Sequence, residues 1–327
     1  MKRVTIFDDF LNEAETASDL GKVYLVFWED KILKDEKTWK FWSHKDSVSN
    51  NFIIKLTPDN YKDIEINKDY PVLTYSSKTS QMLIDEGLIK KENVYNEPKF
   101  FNNARDKKEF HKIVDGDENI PKTTDVKGEA IELLGFPIIA KPADGHAGIG
   151  ITIIKTQADW DAADHSKLDV YSQYINKKAE HRFFALNGKP FFWQERQPTN
   201  DKSKNGGGTP DERMGFDYIK RNSDKIPKNY KDLIKRFGDI FSDLPFICFD
   251  IMEDQDGKLY VIESNTMPGT PFDATVAIYR TIFNDFYKRD VNQTTDLKLK
   301  EYSDFMFKKT MSFDGGNRFK LGIDLND

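Results

Sequence analysis

The chain has 327 residues, with 49 lysines and arginines against 55 aspartates and glutamates, a net charge of −6. That length allows one large domain or two to three medium ones, and the mild acidity lacks the basic excess that a nucleic-acid partner demands. Aromatic residues make up 13% of the chain, with 25 phenylalanines among them, which supports a substantial core and excludes the composition of a disordered chain.

Cys248 is the single cysteine, so no internal disulfide forms. It lies in an apolar run and reads as a packing thiol, in keeping with a reducing compartment. The N-terminus, MKRVTIFDDF, has two basic residues but no apolar run behind them, and no window approaches the ~20 apolar residues of a membrane span. The expectation is a soluble cytoplasmic protein with no membrane or nucleic-acid partner.

Three apolar runs, Gly21–Trp28, Asn51–Leu56 and Tyr70–Tyr75, read as strands, and Thr79–Leu88 reads as a helix stopped near Gly87. They predict a small α/β domain over residues 1–100. Ala104–Val114 has helical period, with Asn102, Asn103 and Asp106 available as caps. Its Lys107, Lys108, His111 and Lys112 read as a solvated basic face, although two lysines in a first turn can also point at an anion. Asp125–Leu134 is a second helix, ended by Gly135.

A strand, Phe136–Ala140, then runs through Lys141-Pro142 into the loop ADGHAGIG, and Ile151–Lys155 follows as the next strand. A glycine loop between two strands is either an ordinary hairpin or a flap whose N–H groups cover phosphate. Thr156 and Asp159 form a capping box. Tyr171–Ile175 is a strand. Arg182–Leu186 and Pro190–Gln197 flank Asn187-Gly188, a strong hairpin turn, and Glu180, Arg182, Glu195 and Arg196 are placed for cross-strand ion pairs. Pro198–Asp211 holds three successive glycines and reads as a linker or a substrate-closing loop. Asn229–Leu244 is an amphipathic helix with Leu233, Ile234, Phe237, Ile240 and Phe241 on one stripe.

Phe246–Pro268, FICFDIMEDQDGKLYVIESNTMP, reads as two antiparallel strands around the Asp256-Gly257 turn. Asp250 lies near the end of the first strand. Glu263 and Asn265 lie at the end of the second and share a face, being two residues apart. Two carboxylates and an amide oxygen suit a hard divalent cation such as Mg²⁺, usually held with substrate phosphates; a solvated acidic rim is the plainer alternative. Thr270, Pro271 and Asp273 signal a helix start, with the helix running to about Lys288.

In this order and spacing, several pieces resemble the ATP-grasp superfamily. They are Asp106-Lys107, Pro121-Lys122-Thr123, Ile139-Ala140-Lys141-Pro142, the loop Asp144–Gly150, Gln173-Tyr174-Ile175, Arg182, and Phe249-Asp250 with Asp256-Gly257-Lys258 and Glu263-Ser264-Asn265-x-x-Pro268-Gly269. The resemblance implies an α/β (α+β) fold in which antiparallel sheets and helices clamp ATP. It implies a small N-terminal α/β domain over 1–100, an ATP-grasp region over 101–290 with lobes at 101–175 and 176–290, and a segment 291–327 of unassigned role. It implies that Lys107 and Lys141 hold the phosphates of ATP, with Lys108 adjacent and able to replace Lys107. Asp144, Gly145, His146, Gly148 and Gly150 would cover those phosphates. Gln173, Tyr174 and Ile175 would meet adenine through their backbone, Arg182 would stabilise the transferring phosphate, and Asp250, Glu263 and Asn265 would bind Mg²⁺. The loop departs from the usual family pattern by carrying His146 and Ala147.

The implied reaction is ATP-dependent joining of a carboxylate to an amine through an acylphosphate, with small-molecule or peptide substrates. Lys204, Asn205, Arg213, Gly269 and Thr270 are candidates for holding substrate. Two other outcomes are phosphorylation of a hydroxyl and nucleotide binding without catalysis.

Overall fold

The computed structural model describes residues 23–26, 53–143, 150–199, 215–221, 223–266 and 268, together with 277–278, 281–282 and 285–286. The chain divides into two compact units, Met1–Lys99 with Gly269–Phe319 and Phe100–Pro268 with Lys320–Asp327.

The first unit holds β1 (Val23–Val26), β2 (Ile53–Leu56), β3 (Val72–Thr74), α1 (Ser77–Asp85) and β4 (Val94–Tyr95). The four strands form one parallel sheet in the order β2-β1-β3-β4. Parallel strands are covered on both faces and so read as unbroken apolar runs. VYLV in β1 and VLT in β3 are buried at every position. Parallel strands also need a crossover, and α1 supplies it between β3 and β4. Ser76 caps this helix by accepting from the Thr79 N–H at 3.2 Å, and Gly87 leaves it at φ +66°.

The second unit begins with α2 (Phe101–Arg105) and α3 (Lys107–Ile113). The periodicity predicts one helix here. Asp106 instead takes extended backbone and caps α3, its carboxylate accepting from the N–H groups of Lys108 at 2.8 Å and Glu109 at 3.2 Å. Next come β5 (Thr123–Thr124), α4 (Lys127–Leu134), β6 (Ile138–Lys141), β7 (Thr152–Ile154), α5 (Gln157–Ala162) and β8 (Val170–Gln173). The strands make an antiparallel sheet in the order β5-β8-β6-β7. The capping box at Thr156 and Asp159 forms as predicted.

The larger sheet holds β9 (Lys177–Leu186), β10 (Lys189–Thr199), β11 (Gly215–Arg221), β12 (Phe246–Asp254) and β13 (Leu259–Asn265), with α6 (Lys228–Ile240) inserted after β11. Its order is β11-β10-β9-β12-β13, antiparallel throughout. The Asn187-Gly188 turn joins β9 to β10 with both residues at positive φ, 50° and 70°.

One face of this sheet is the core of the unit. Phe183, Ala185, Ile247, Phe249, Ile251 and Val261 pack there on Tyr230, Leu233, Ile234 and Phe237 of α6, with Phe110 of α3 in the same cluster. Each of these large side chains contributes about 1.5–3 kcal/mol by leaving water. Alternation then turns Arg182, Asp250 and their neighbours to the opposite face. Ser264, on the core side of β13, donates to the Ala104 carbonyl at 2.9 Å and ties the α2–α3 pair to this edge of the sheet.

Candidate active site

Strand register builds the site. Gln194 on β10 lies opposite Arg182 on β9, Arg182 opposite Asp250 on β12, and Asp250 opposite Glu263 on β13. These four side chains therefore form one row across the sheet. Arg182 grips Asp250 with Nε and Nη2, one bond to each carboxylate oxygen, both 2.7 Å. Asn265 is two residues beyond Glu263 on the same face, opposite Cys248. Cys248 is buried, and burial pushes its thiol well up. It is a buried packing thiol on the row's own face, two residues from Asp250 on β12.

Burial opposes the charge of Asp250, but the Arg182 guanidinium outweighs it and holds the carboxyl below its ordinary range. Glu263 goes the other way. Burial, and then the Asp250 carboxylate, raise it, and the two carboxyls are hydrogen-bonded to one another. Two acids confined side by side cannot both ionise cheaply. A divalent cation would relieve that repulsion, and two carboxylates with an amide oxygen are hard-cation ligands. Arg182 takes one lone pair from each Asp250 oxygen and leaves others free. The donors thus fit Mg²⁺, with Asp250, Glu263 and Asn265 as the residues that would hold it. Among the described residues, no group of three or more His, Cys, Asp or Glu is arranged as a metal cluster.

The basic half comes from the other sheet. Lys141 ends β6 and is buried, and burial lowers its proton affinity while the Glu263 carboxylate restores part of it. Lys107 opens α3 and adds repulsion to Lys141; its Nζ lies 3.4 Å from the Ala143 carbonyl. Lys108 turns elsewhere, to Asp169 at 3.6 Å. Of the two adjacent lysines, it is Lys107 that faces Lys141.

His111 corrects the expectation of a solvated basic face. Both of its ring nitrogens are buried, and burial followed by the charges of Lys141 and Lys107 pushes its pKa down to about 3. A helical period cannot distinguish a solvent-facing stripe from one that faces a second sheet, so this residue was missed.

A second ion-pair group continues the row's face. Arg196 binds Glu180 at 2.6 Å, and Lys177 binds the other Glu180 oxygen at 2.5 Å. The expected cross-strand pairing holds for Arg196 and Glu180. Glu195 pairs instead with Arg221 on β11, a strand that the sequence reading did not find.

Gln173 ends β8, where its N–H donates to the Lys122 carbonyl at 2.8 Å; Tyr174 is exposed and Ile175 buried. Gly150 has φ +81°, and a Cβ there would stand 2.8 Å from Cγ of Pro142, so the residue needs to be glycine. Asp144, Gly145, His146 and Gly148 lie outside the described residues, as do Lys204, Asn205, Arg213, Gly269 and Thr270.

No family model and no curated protein sequence matches the chain. Solved structures do. D-alanine–D-alanine ligase from Bacillus anthracis, complexed with ATP, superposes with a TM-score of 0.55 at 15% identity, over 88% of this chain and 99% of that one. N5-carboxyaminoimidazole synthetase from Staphylococcus aureus, complexed with ADP, gives 0.55 at 14% identity, over 83% and 78%. The ATP-grasp ligase PsnB, complexed with a minimal precursor, gives 0.52 at 12% identity, over 82% and 99%. Identities this low speak to architecture, and on that evidence the chain has the ATP-grasp fold.

Proposed function

We propose that the protein is an ATP-dependent ligase that joins a carboxylate to an amine, releasing ADP and phosphate. One observation carries this reading: Arg182, Asp250 and Glu263 lie in register across one sheet, with buried Lys141 of the other sheet held in the field of Glu263. A basic group and an acidic group thus meet where a polyanion and its cation could both be bound. The ATP and ADP of the B. anthracis and S. aureus structures support a nucleotide as that polyanion.

In this reading Lys107 and Lys141 hold the phosphates, with Asp144, Gly145, His146, Gly148 and Gly150 over them and Gln173, Tyr174 and Ile175 beside adenine. Asp250, Glu263 and Asn265 would hold Mg²⁺, which when bound would neutralise phosphate charge. A substrate carboxylate attacks the terminal phosphorus, giving an acylphosphate and ADP. The amine then attacks the acyl carbon and phosphate leaves. Arg182, fixed by Asp250, offers its guanidinium charge to the charge that develops on the transferring group. Lys204, Asn205, Arg213, Gly269 and Thr270 are proposed to contact the substrates.

The test incubates the full chain with ATP, Mg²⁺ and mixed amino acids or dipeptides. A condensation product with equimolar ADP and free phosphate is expected. A phosphorylated product without free phosphate identifies a kinase instead, and nucleotide binding without ADP formation refutes catalysis.

A further inference from the structure

His111 has no part in the reaction above, yet it stands among the groups assigned to the phosphates. It lies four residues after Lys107 on α3, so the two project from the same side of the helix. Lys141 at the end of β6 is close enough, with Lys107, to repel a proton on the ring. Phe110 packs edge-on against the ring at 5.2 Å. Both ring nitrogens are buried, and neither has a hydrogen-bond partner among the described residues. Buried polar atoms are nearly always paired, because an unpaired one costs stability. The exceptions call for a reason.

The surroundings narrow that reason. A neutral imidazole offers one N–H donor and one lone pair. Two neighbouring ammonium groups exclude a cation as the missing partner and favour an anion. An apolar side chain of similar size would pack in the same place without stranding two nitrogens. Structure alone therefore gives no cause for histidine here, and ligand binding does.

We propose that His111 is a third binding residue of the anion site formed with Lys107 and Lys141, donating a ring N–H to a phosphate oxygen. For ATP as the source of that oxygen, the inference rests on the function proposed above. An inorganic polyanion separates the two. The neutral donor adds direction to a site whose lysines act as point charges, so it selects where an oxygen sits without adding net charge.

The experiment compares wild type, His111→Leu and His111→Gln in the full chain. Binding of ADP and of inorganic pyrophosphate is followed by calorimetry, and the unliganded melting temperature by circular dichroism. In His111→Leu, affinity for both anions is expected to fall about tenfold while the melting temperature holds or rises. His111→Gln, which keeps an N–H donor, recovers part of the affinity. The proposal is overturned if His111→Leu binds pyrophosphate as tightly as wild type, or if its melting temperature drops with affinity unchanged. Pyrophosphate binding that depends on His111 in a chain that ignores ADP would uphold the anion site and refute the nucleotide reading.

Discussion

Arg182 and Asp250 hold one another through two bonds of 2.7 Å at side-chain exposures of 15% and 11%. Removing one member of such a pair strands a buried charge, and the cost far exceeds the worth of the pair itself. Arg182→Ala is therefore expected to lose about 3 kcal/mol of stability in urea unfolding. Replacing both partners with apolar residues should cost less than that single change. A larger loss in the double variant would show that the row stabilises the fold beyond its own pairing. His181 makes a second prediction at this scale. It is buried, with Glu195, Glu253, Arg221 and Glu180 around it and Tyr230 Oη 3.2 Å from its Nδ1, and burial lowers its pKa from 6.5. The unfolded chain then takes up a proton that the folded chain refuses. Stability is full above about pH 6.5 and falls as pH drops below it, by up to ~1.4 kcal/mol per pH unit for each such group. His111 acts in the same direction down to its value of about 3. His181→Gln should make the slope of unfolding free energy between pH 7 and pH 5 shallower without abolishing it, and an unchanged slope would contradict the assignment.

Among the elements, the β9–β10 turn and α6 approach closely through their backbones. A Cβ added at Gly238 would stand 2.4 Å from the Gly188 Cα, and one at Gly188 would stand 3.3 Å from the Lys235 carbonyl oxygen. Two glycines let helix and hairpin touch. In an isolated helix Gly→Ala gains up to about 1 kcal/mol. Here Gly238→Ala is expected to lose about 1–3 kcal/mol because the helix must move off the sheet it covers. Thermal melting decides the sign, and a stabilised variant would mean that the turn yields. The same sheet serves two ends. Its α6 face is apolar and packed on the helix, and the strand pairing sets the opposite row of Gln194, Arg182, Asp250 and Glu263 in register.

For the whole molecule, the first unit joins two pieces distant in sequence, Met1–Lys99 and Gly269–Phe319. Its parallel sheet comes from the N-terminal side, and Tyr95 Oη donates to Asp285 at 2.6 Å across 190 residues. The second unit takes Phe100–Pro268 together with Lys320–Asp327, with the site built on its two antiparallel sheets. A ligand that binds only the folded chain adds stability by mass action, about 2.7 kcal/mol at a hundredfold excess over Kd. ATP with Mg²⁺ is expected to raise the melting temperature of the wild type. Lys141→Ala should remove most of that rise, since Lys141 is buried in the field of both Lys107 and Glu263. A full shift in the variant would remove Lys141 from the phosphate site.

Much of this was legible in the residue order. The Asn187-Gly188 turn, the Thr156 capping box, the Asp256-Gly257 hairpin and the stripe on α6 each depend on neighbours a few positions away. That is why local reading found them. The face shared by Glu263 and Asn265 followed from a period of two. What lay beyond reach depended on partners distant in sequence. Arg182 was placed for a partner in its own hairpin, but the register of β12 delivers Asp250, 68 residues away. Gly215–Arg221 carries no turn signal or clean alternation and becomes β11 because β10 offers it an edge. His111 lies on a helix face whose sequence reads as basic and solvated. Packing α3 beside Lys141 removed water from both ring nitrogens, and only that packing made the residue a candidate for binding.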